Sequence, residues 1–284
     1  METLVRPSWL KKKIEFDASR SMSTLLNSLD LNTVCREAMC PNIAECFKRQ
    51  HATFLILGKS CSRSCKFCHV EKSKTGPVDA DEPRRIAFAV KKLRLKHVVI
   101  TSVTRDDLPD GGASAFIATV AEIRGLSPYC AIELLIPDLK GDLESVKNIS
   151  QSKPDIIGHN VETVPRLYHL RPGADYRRSL KVLTQIKKTN ENIRTKSAIM
   201  LGLGEREDEL RSVLEDLRKA GCDFLALGQY LRPSLQNAEV AAYIAPEKFD
   251  EYKSLALSLG FRHVESGPYV CSSYRAADYL VIGD

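Results

Sequence analysis

The chain has 284 residues, 43% of them hydrophobic and 27% charged. That is the balance of an ordinary globular chain, which excludes disorder, and no apolar run nears the roughly 18 residues of a membrane-spanning helix. The net charge of +6, from 42 Lys and Arg against 36 Asp and Glu, is scattered in short groups such as Lys11–Lys13, Lys91-Lys92 with Arg94 and Lys96, and Arg177-Arg178; this is not the concentrated stripe of a nucleic-acid binder. The opening residues lack an apolar run of signal length, so a cytoplasmic protein is expected.

Residues 1–52 show no strand-and-helix rhythm and are expected to form an N-terminal extension. From residue 53 onward, short β-rich runs at 53–57, 97–102, 131–136, 155–160, 195–201 and 223–227 alternate with helix-length segments. Those segments are 84–94, 112–124, 139–150, 176–188 and 207–220, and Gly221 stands where the last should stop. The strand runs are continuously apolar, as expected when both faces of a parallel sheet are covered. Six such units predict an α/β fold, a partial (β/α)6 barrel over 53–234, with 235–284 as a C-terminal extension. In barrels of this kind the chemistry belongs at the C-terminal ends of the strands.

Nine cysteines in a reducing compartment point to metal or catalysis rather than to disulfides. Directly after the first strand run come Cys61, Cys65 and Cys68, spaced Cys-x3-Cys-x2-Cys. Three thiolates can hold three irons of a 4Fe–4S cube, leaving the fourth iron open to a small molecule. The competing reading is a structural zinc completed by His69, but adjacent Cys68 and His69 would struggle to grip one tetrahedral ion. A second set, Cys35, Cys40 and Cys46, lies upstream among polar residues and suggests a second cluster. Cys130 and Cys222 have no partner nearby in sequence and read as packed thiols.

The three-cysteine loop on a partial barrel resembles the radical S-adenosylmethionine enzymes. The pairing of Cys35–Cys46 with Cys61–Cys68 is similar, more specifically, to the lipoyl synthases. The similarity continues through the stretches 52–58, 99–112, 159–162, 171–176, 203–205 and 228–234, nearly the whole chain. It implies radical insertion of two sulfur atoms at carbons 6 and 8 of an octanoyl chain carried on a lysine of a lipoyl carrier protein. Saturated C–H bonds offer no acidity and no leaving group, so a radical from the cofactor must open them. On this resemblance Cys61, Cys65 and Cys68 bind the cluster that cleaves S-adenosylmethionine, while Cys35, Cys40 and Cys46 bind an auxiliary cluster that gives up its sulfides. The family's fourth auxiliary ligand is the second serine of Arg-Ser-Ser-Tyr-His-Ala. The matching stretch here, 271–276, puts that role on Ser273, with Cys271 replacing the arginine and Arg275 the histidine; Cys271, two residues away and the softer donor, is the alternative ligand.

Phe67, before the last cysteine, is expected near the adenine. Thr101, Asn160, Glu162, Gly204 and Glu205 sit at strand ends and suit ribose and amino-acid contacts, although turns and helix caps would use the same residue types. Asp106, Asp107 and Asp110 read equally well as loop and helix-start residues. The resemblance implies as partners the glycine cleavage H protein and the acyltransferase subunits of 2-oxoacid dehydrogenases, an electron donor such as ferredoxin or flavodoxin, and an iron–sulfur carrier. The alternatives are a sulfur-inserting enzyme of the biotin synthase type, which lacks the Cys35–Cys46 set, and a non-catalytic iron–sulfur protein.

Overall fold

The computed structural model describes residues 5–11, 20–49 and 51–281, so Lys12 and Lys13 lie outside the described residues. The N-terminal extension contributes α1 (Arg20–Ser28), a two-residue strand β1 (Asn32–Thr33), α2 (Val34–Glu37) and α3 (Ile43–Lys48). Then β2 (Thr53–Ile56), β3 (His97–Ser102), β4 (Ala131–Leu135), β5 (Ile156–Gly158), β6 (Arg194–Leu201) and β7 (Phe224–Gln229) alternate with α4 (Glu82–Lys92), α5 (Ala113–Leu126), α6 (Leu143–Gln151), α7 (Tyr176–Thr189) and α8 (Glu207–Lys219). A further unit, α9 (Pro246–Ser258) and β8 (His263–Gly267), precedes a short α10 (Asp278–Val281).

All eight strands lie in one sheet in sequence order, with β1 and β8 at its edges. Every neighbouring pair is parallel except β1 with β2. Every residue of β2 and β7 is buried, as the continuous apolar runs require. The expected partial barrel is present, but the sheet carries more strands than the six expected. Strand β8 gave no apolar signal, because only Val264 of its five residues is buried.

Helix α6 also begins later than the apolar pattern suggested. Asp138 and Asp142 each accept a backbone N–H two residues ahead, at 3.1 Å, so a tight turn at Leu139–Gly141 comes first. Short polar side chains compete with helical hydrogen bonding in just this way. Cys130 and Cys222 are buried at 3% and 0% exposure, as packed thiols should be.

After β8 the chain folds back across the sheet. A Cβ built on Gly228 would stand 1.8 Å from the carbonyl oxygen of Val270, so the tail backbone lies directly on β7. Farther along, Tyr279 is fully buried against Phe224 and His263, with ring centroids 5.3 and 4.7 Å away. Replacing Gly228 with Ala should therefore lift the tail, at a cost of about 1–3 kcal/mol typical of overpacking. Faster tryptic cleavage after the exposed Arg275, compared with the parent protein, is the expected readout.

Candidate active site

Strand β2 ends in a sharp departure. Leu57 has φ 67° and Gly58 φ 88°, both in the left-handed region. Strain of this kind persists in a non-glycine residue only when its surroundings hold it. Here the Leu57 amide donates to the carboxylate of buried Glu82 at 2.7 Å. The turn throws the loop bearing Cys61, Cys65 and Cys68 over the C-terminal end of the sheet, where barrel chemistry is expected.

Arg63, between the first two of these cysteines, anchors the loop. Its guanidinium donates to both carboxylate oxygens of Asp106, at 2.7 and 2.9 Å, and to Asp138 at 2.6 Å. Arg178 donates to the other oxygen of Asp138 at 3.1 Å. Burial alone would raise the Asp138 pKa, but the hydrogen bond and charge of Arg63 hold it below the usual carboxylate range. Asp107 pairs with Arg105 at 2.8 Å, and Asp110 accepts the amides of Gly112 and Ser114 at the start of α5. These three aspartates thus take the loop and helix-start roles.

One cavity of about 430 Å³ spans the interior. Cys61, Cys65 and Cys68 line it, together with Phe67, Thr101, Asn160 and Glu162. Cys35 and Cys40 from the N-terminal extension line it too, as do Cys271 and Ser273 from the tail. A smaller adjoining pocket, about 20 Å³, gathers Cys35, Cys40, Cys46, Cys271 and Ser273 around Thr53. The Thr53 hydroxyl donates to Ser273 Oγ at 2.8 Å. Asn42, between Cys40 and Cys46, donates to the Tyr269 carbonyl at 2.6 Å. The two cysteine sets are thus separated by the length of β2, because Thr53 opens that strand and the Cys61 loop leaves its far end.

The donor set suits iron–sulfur clusters. Burial pushes the Cys35 and Cys68 thiols up to about 11, so a metal must displace their protons before they ligate. The backbone N–H of Arg63 donates to Cys61 Sγ at 3.4 Å, a contact that stabilises a thiolate. Among the described residues no three His, Cys, Asp or Glu side chains are grouped to hold one metal ion. Adjacent Cys68 and His69 are poorly placed to grip one tetrahedral zinc, whereas three thiols of one loop lining a cavity suit a cluster of several irons.

Comparison with known proteins agrees. Residues 55–228 match the family model of the radical SAM superfamily. A lipoyl synthase from Citrifermentans bemidjiense is 56% identical over 280 residues, 99% of this chain and 96% of the relative. Another from Geotalea uraniireducens is 57% identical over 283 residues, 100% of both chains. The chain belongs to the lipoyl synthase family. Among solved structures, methylornithine synthase superposes with a TM-score of 0.58 at 12% identity, covering 89% of this chain and 79% of that one. Streptococcus suis SuiB bound to S-adenosylmethionine gives 0.57 at 14% identity, over 86% and 58%. Both likenesses concern the fold.

Membership in a radical S-adenosylmethionine family of lipoyl synthases implies a 4Fe–4S cluster, S-adenosylmethionine and sulfur-inserting chemistry. No helix among the described residues is long and apolar enough to cross a membrane. Gly204 and Glu205 do not line the cavity; the Glu205 carboxylate instead accepts the amides of Gly202 and Leu203 at 2.6 and 3.0 Å, capping its own loop. Two lining residues that sequence reasoning left out are His159 and Arg171, although both lie in family stretches. His159 hydrogen-bonds the Ile136 carbonyl through Nδ1 at 2.9 Å, and its buried Nε2 has no partner among the described residues. Burial, and then the charge of Arg171, push this imidazole down to about 4, so it is neutral near pH 7. Glu162 sits at φ 64° beside Asn160, whose amide donates to it at 3.1 Å.

Arg63→Ala should destabilise the chain by about 3–5 kcal/mol, the usual cost of stranding a buried carboxylate. Arg63→Lys should recover only part of that, because an ammonium lacks the planar fork needed for two carboxylates. Urea denaturation of both variants checks the order; equal stability of Arg63→Ala and the parent would refute the anchoring role.

Proposed function

We propose that this lipoyl synthase holds the S-adenosylmethionine-cleaving cluster on Cys61, Cys65 and Cys68, and an auxiliary sulfur-donating cluster on Cys35, Cys40, Cys46 and Ser273. Its substrates are octanoylated lipoyl carrier domains, those of the glycine cleavage H protein and of 2-oxoacid dehydrogenase acyltransferase subunits. A ferredoxin or flavodoxin supplies electrons, and an iron–sulfur carrier restores the auxiliary cluster. The observation that carries this reading is that Cys61, Cys65 and Cys68 line one cavity together with Cys35 and Cys40. An alkyl chain lying in it would have a radical source on one side and a sulfur source on the other.

When bound, the first cluster would supply the electron that splits the cofactor sulfonium into methionine and a 5′-deoxyadenosyl radical, and the second would supply sulfur. The protein's own part is aim and exclusion of water. Leu55, Leu135, Ile199 and Ala226 give the cavity an apolar wall that suits an octanoyl chain. Phe67 offers a flat face to an adenine, and Thr101, Asn160 and Glu162 offer polar edges to the ribose and amino-acid portion. Arg171 lines the same cavity, and its buried Nε, which lacks a partner among the described residues, suits the cofactor carboxylate. His159 can accept a hydrogen bond from a hydroxyl at Nε2 while Nδ1–H donates to the Ile136 carbonyl. Thr53 holds the Ser273 hydroxyl toward the auxiliary cysteines.

Alanine at Cys61, Cys65 or Cys68 should abolish 5′-deoxyadenosine formation. Alanine at Cys35, Cys40 or Cys46 should spare cofactor cleavage but stop sulfur insertion. Mass spectrometry of an octanoylated carrier domain decides the second point. The parent enzyme should add two sulfur atoms, with loss of two hydrogens once the dithiol closes, and a Cys40→Ala protein that still did so would sink the auxiliary-cluster reading.

Carrier encounter should also weaken with salt. The chain carries a net +6, and the carrier's lysine arm is expected on an acidic surface. Exposed charges are screened beyond about 8 Å at physiological ionic strength. A KM for the carrier that stays constant from low to high salt would remove the electrostatic part of the argument.

A further inference from the structure

The tail brings two donors to the auxiliary cysteines, not one. Cys271 lines the same pocket as Ser273, Cys35, Cys40 and Cys46. Its Sγ lies 3.9 Å from Ser273 Oγ, and the tail turns here, with the Tyr274 amide donating to the Cys271 carbonyl at 2.9 Å. The motif that this stretch resembles has an arginine at the position, so the thiol departs from that motif. Packing alone gives no reason for a sulfur that lines one small pocket with three further cysteines and the serine.

We propose that Cys271 is a second, exchangeable ligand for the auxiliary-cluster iron held by Ser273, which rests on the cluster assignment above. The exchange balances without any outside reagent. The Cys271 thiol gives its proton to the Ser273 alkoxide, the iron–oxygen bond breaks as an iron–sulfur bond forms, and no electron moves. Thiolate is the softer and tighter ligand for iron, so the sulfur-bound form keeps the cluster closed at rest. The serine-bound form is the one easily opened, because a protonated hydroxyl leaves readily. The short distance between the two side chains lets one iron pass between them with the tail still seated on β7.

The test uses the full chain with Cys61, Cys65 and Cys68 replaced by Ala, so that only auxiliary iron is present, reconstituted with iron-57 and sulfide. Iron content and Mössbauer spectra are compared for the intact tail, Ser273→Ala, Cys271→Ala and the double variant, with circular dichroism to establish folding. Ser273→Ala should keep its iron with every site sulfur-ligated. Cys271→Ala should show about one iron in four ligated by oxygen. The double variant should show solvent-ligated iron or lose the cluster. If Ser273→Ala instead matches the double variant, Cys271 does not take the iron and the proposal fails. An intact tail that binds no iron in this background would overturn the auxiliary-cluster assignment itself, a result distinct from failed exchange. Should Ser273→Ala misfold, Cys271→Ala alone still decides: a spectrum identical to that of the intact tail means no sulfur-bound form exists.

Discussion

Everything at the cofactor end of this molecule hangs on one guanidinium. A loop that must present three thiols cannot also be a regular element, and its backbone is tied down piecemeal, Cys61 to Glu71, Ser62 to Thr104 and Lys66 to Leu170. Arg63 adds buried charge to these ties by bridging Asp106 after β3 and Asp138 after β4, with Arg178 of α7 completing the pair at Asp138. A buried carboxylate is costly unless paired, so the four charges tie the loop after β2 to the rest of the barrel mouth. The left-handed backbone of Leu57 is tolerated because Glu82 and this network fix both sides of it.

At the other end of β2 the two extensions meet. Neither is a complete site alone: the N-terminal segment brings Cys35, Cys40 and Cys46, and the tail brings Cys271 and Ser273. Their union is set by close backbone approach at Gly228, by the Asn42–Tyr269 contact and by the Thr53–Ser273 hydrogen bond. The site is thus assembled only in the folded chain, across more than two hundred positions of sequence separation.

The barrel interior is not uniformly apolar. Lys196 of β6 and Glu133 of β4 form an ion pair at 2.9 Å with both side chains 1% exposed, and the Lys196 ammonium lies 3.6 Å from the centroid of the Tyr279 ring. Desolvation pushes Glu133 upward, against the pull of Lys196, and pushes neighbouring His97 down to about 3. The tail therefore covers a buried charge as well as apolar surface, a second reason for it to stay docked.

The sequence by itself determined the βα rhythm, because strands buried on both faces must be continuously apolar and that signal is local. It also marked out the two cysteine sets, because their spacing is local too. Local signals missed β8, which is mostly polar, and set α6 too early, because they could not show Asp138 and Asp142 claiming the backbone amides first. Glu205 has the right chemistry for a ligand and a strand-end position, yet its oxygens are taken by its own loop. His159 and Arg171 look ordinary in sequence, and only the cavity gives them a role to play. Which residues share the cavity, and that Cys271 and Ser273 reach the pocket of Cys35, Cys40 and Cys46, were decided by the tertiary structure alone, because those contacts join strand ends and a tail that no local pattern relates.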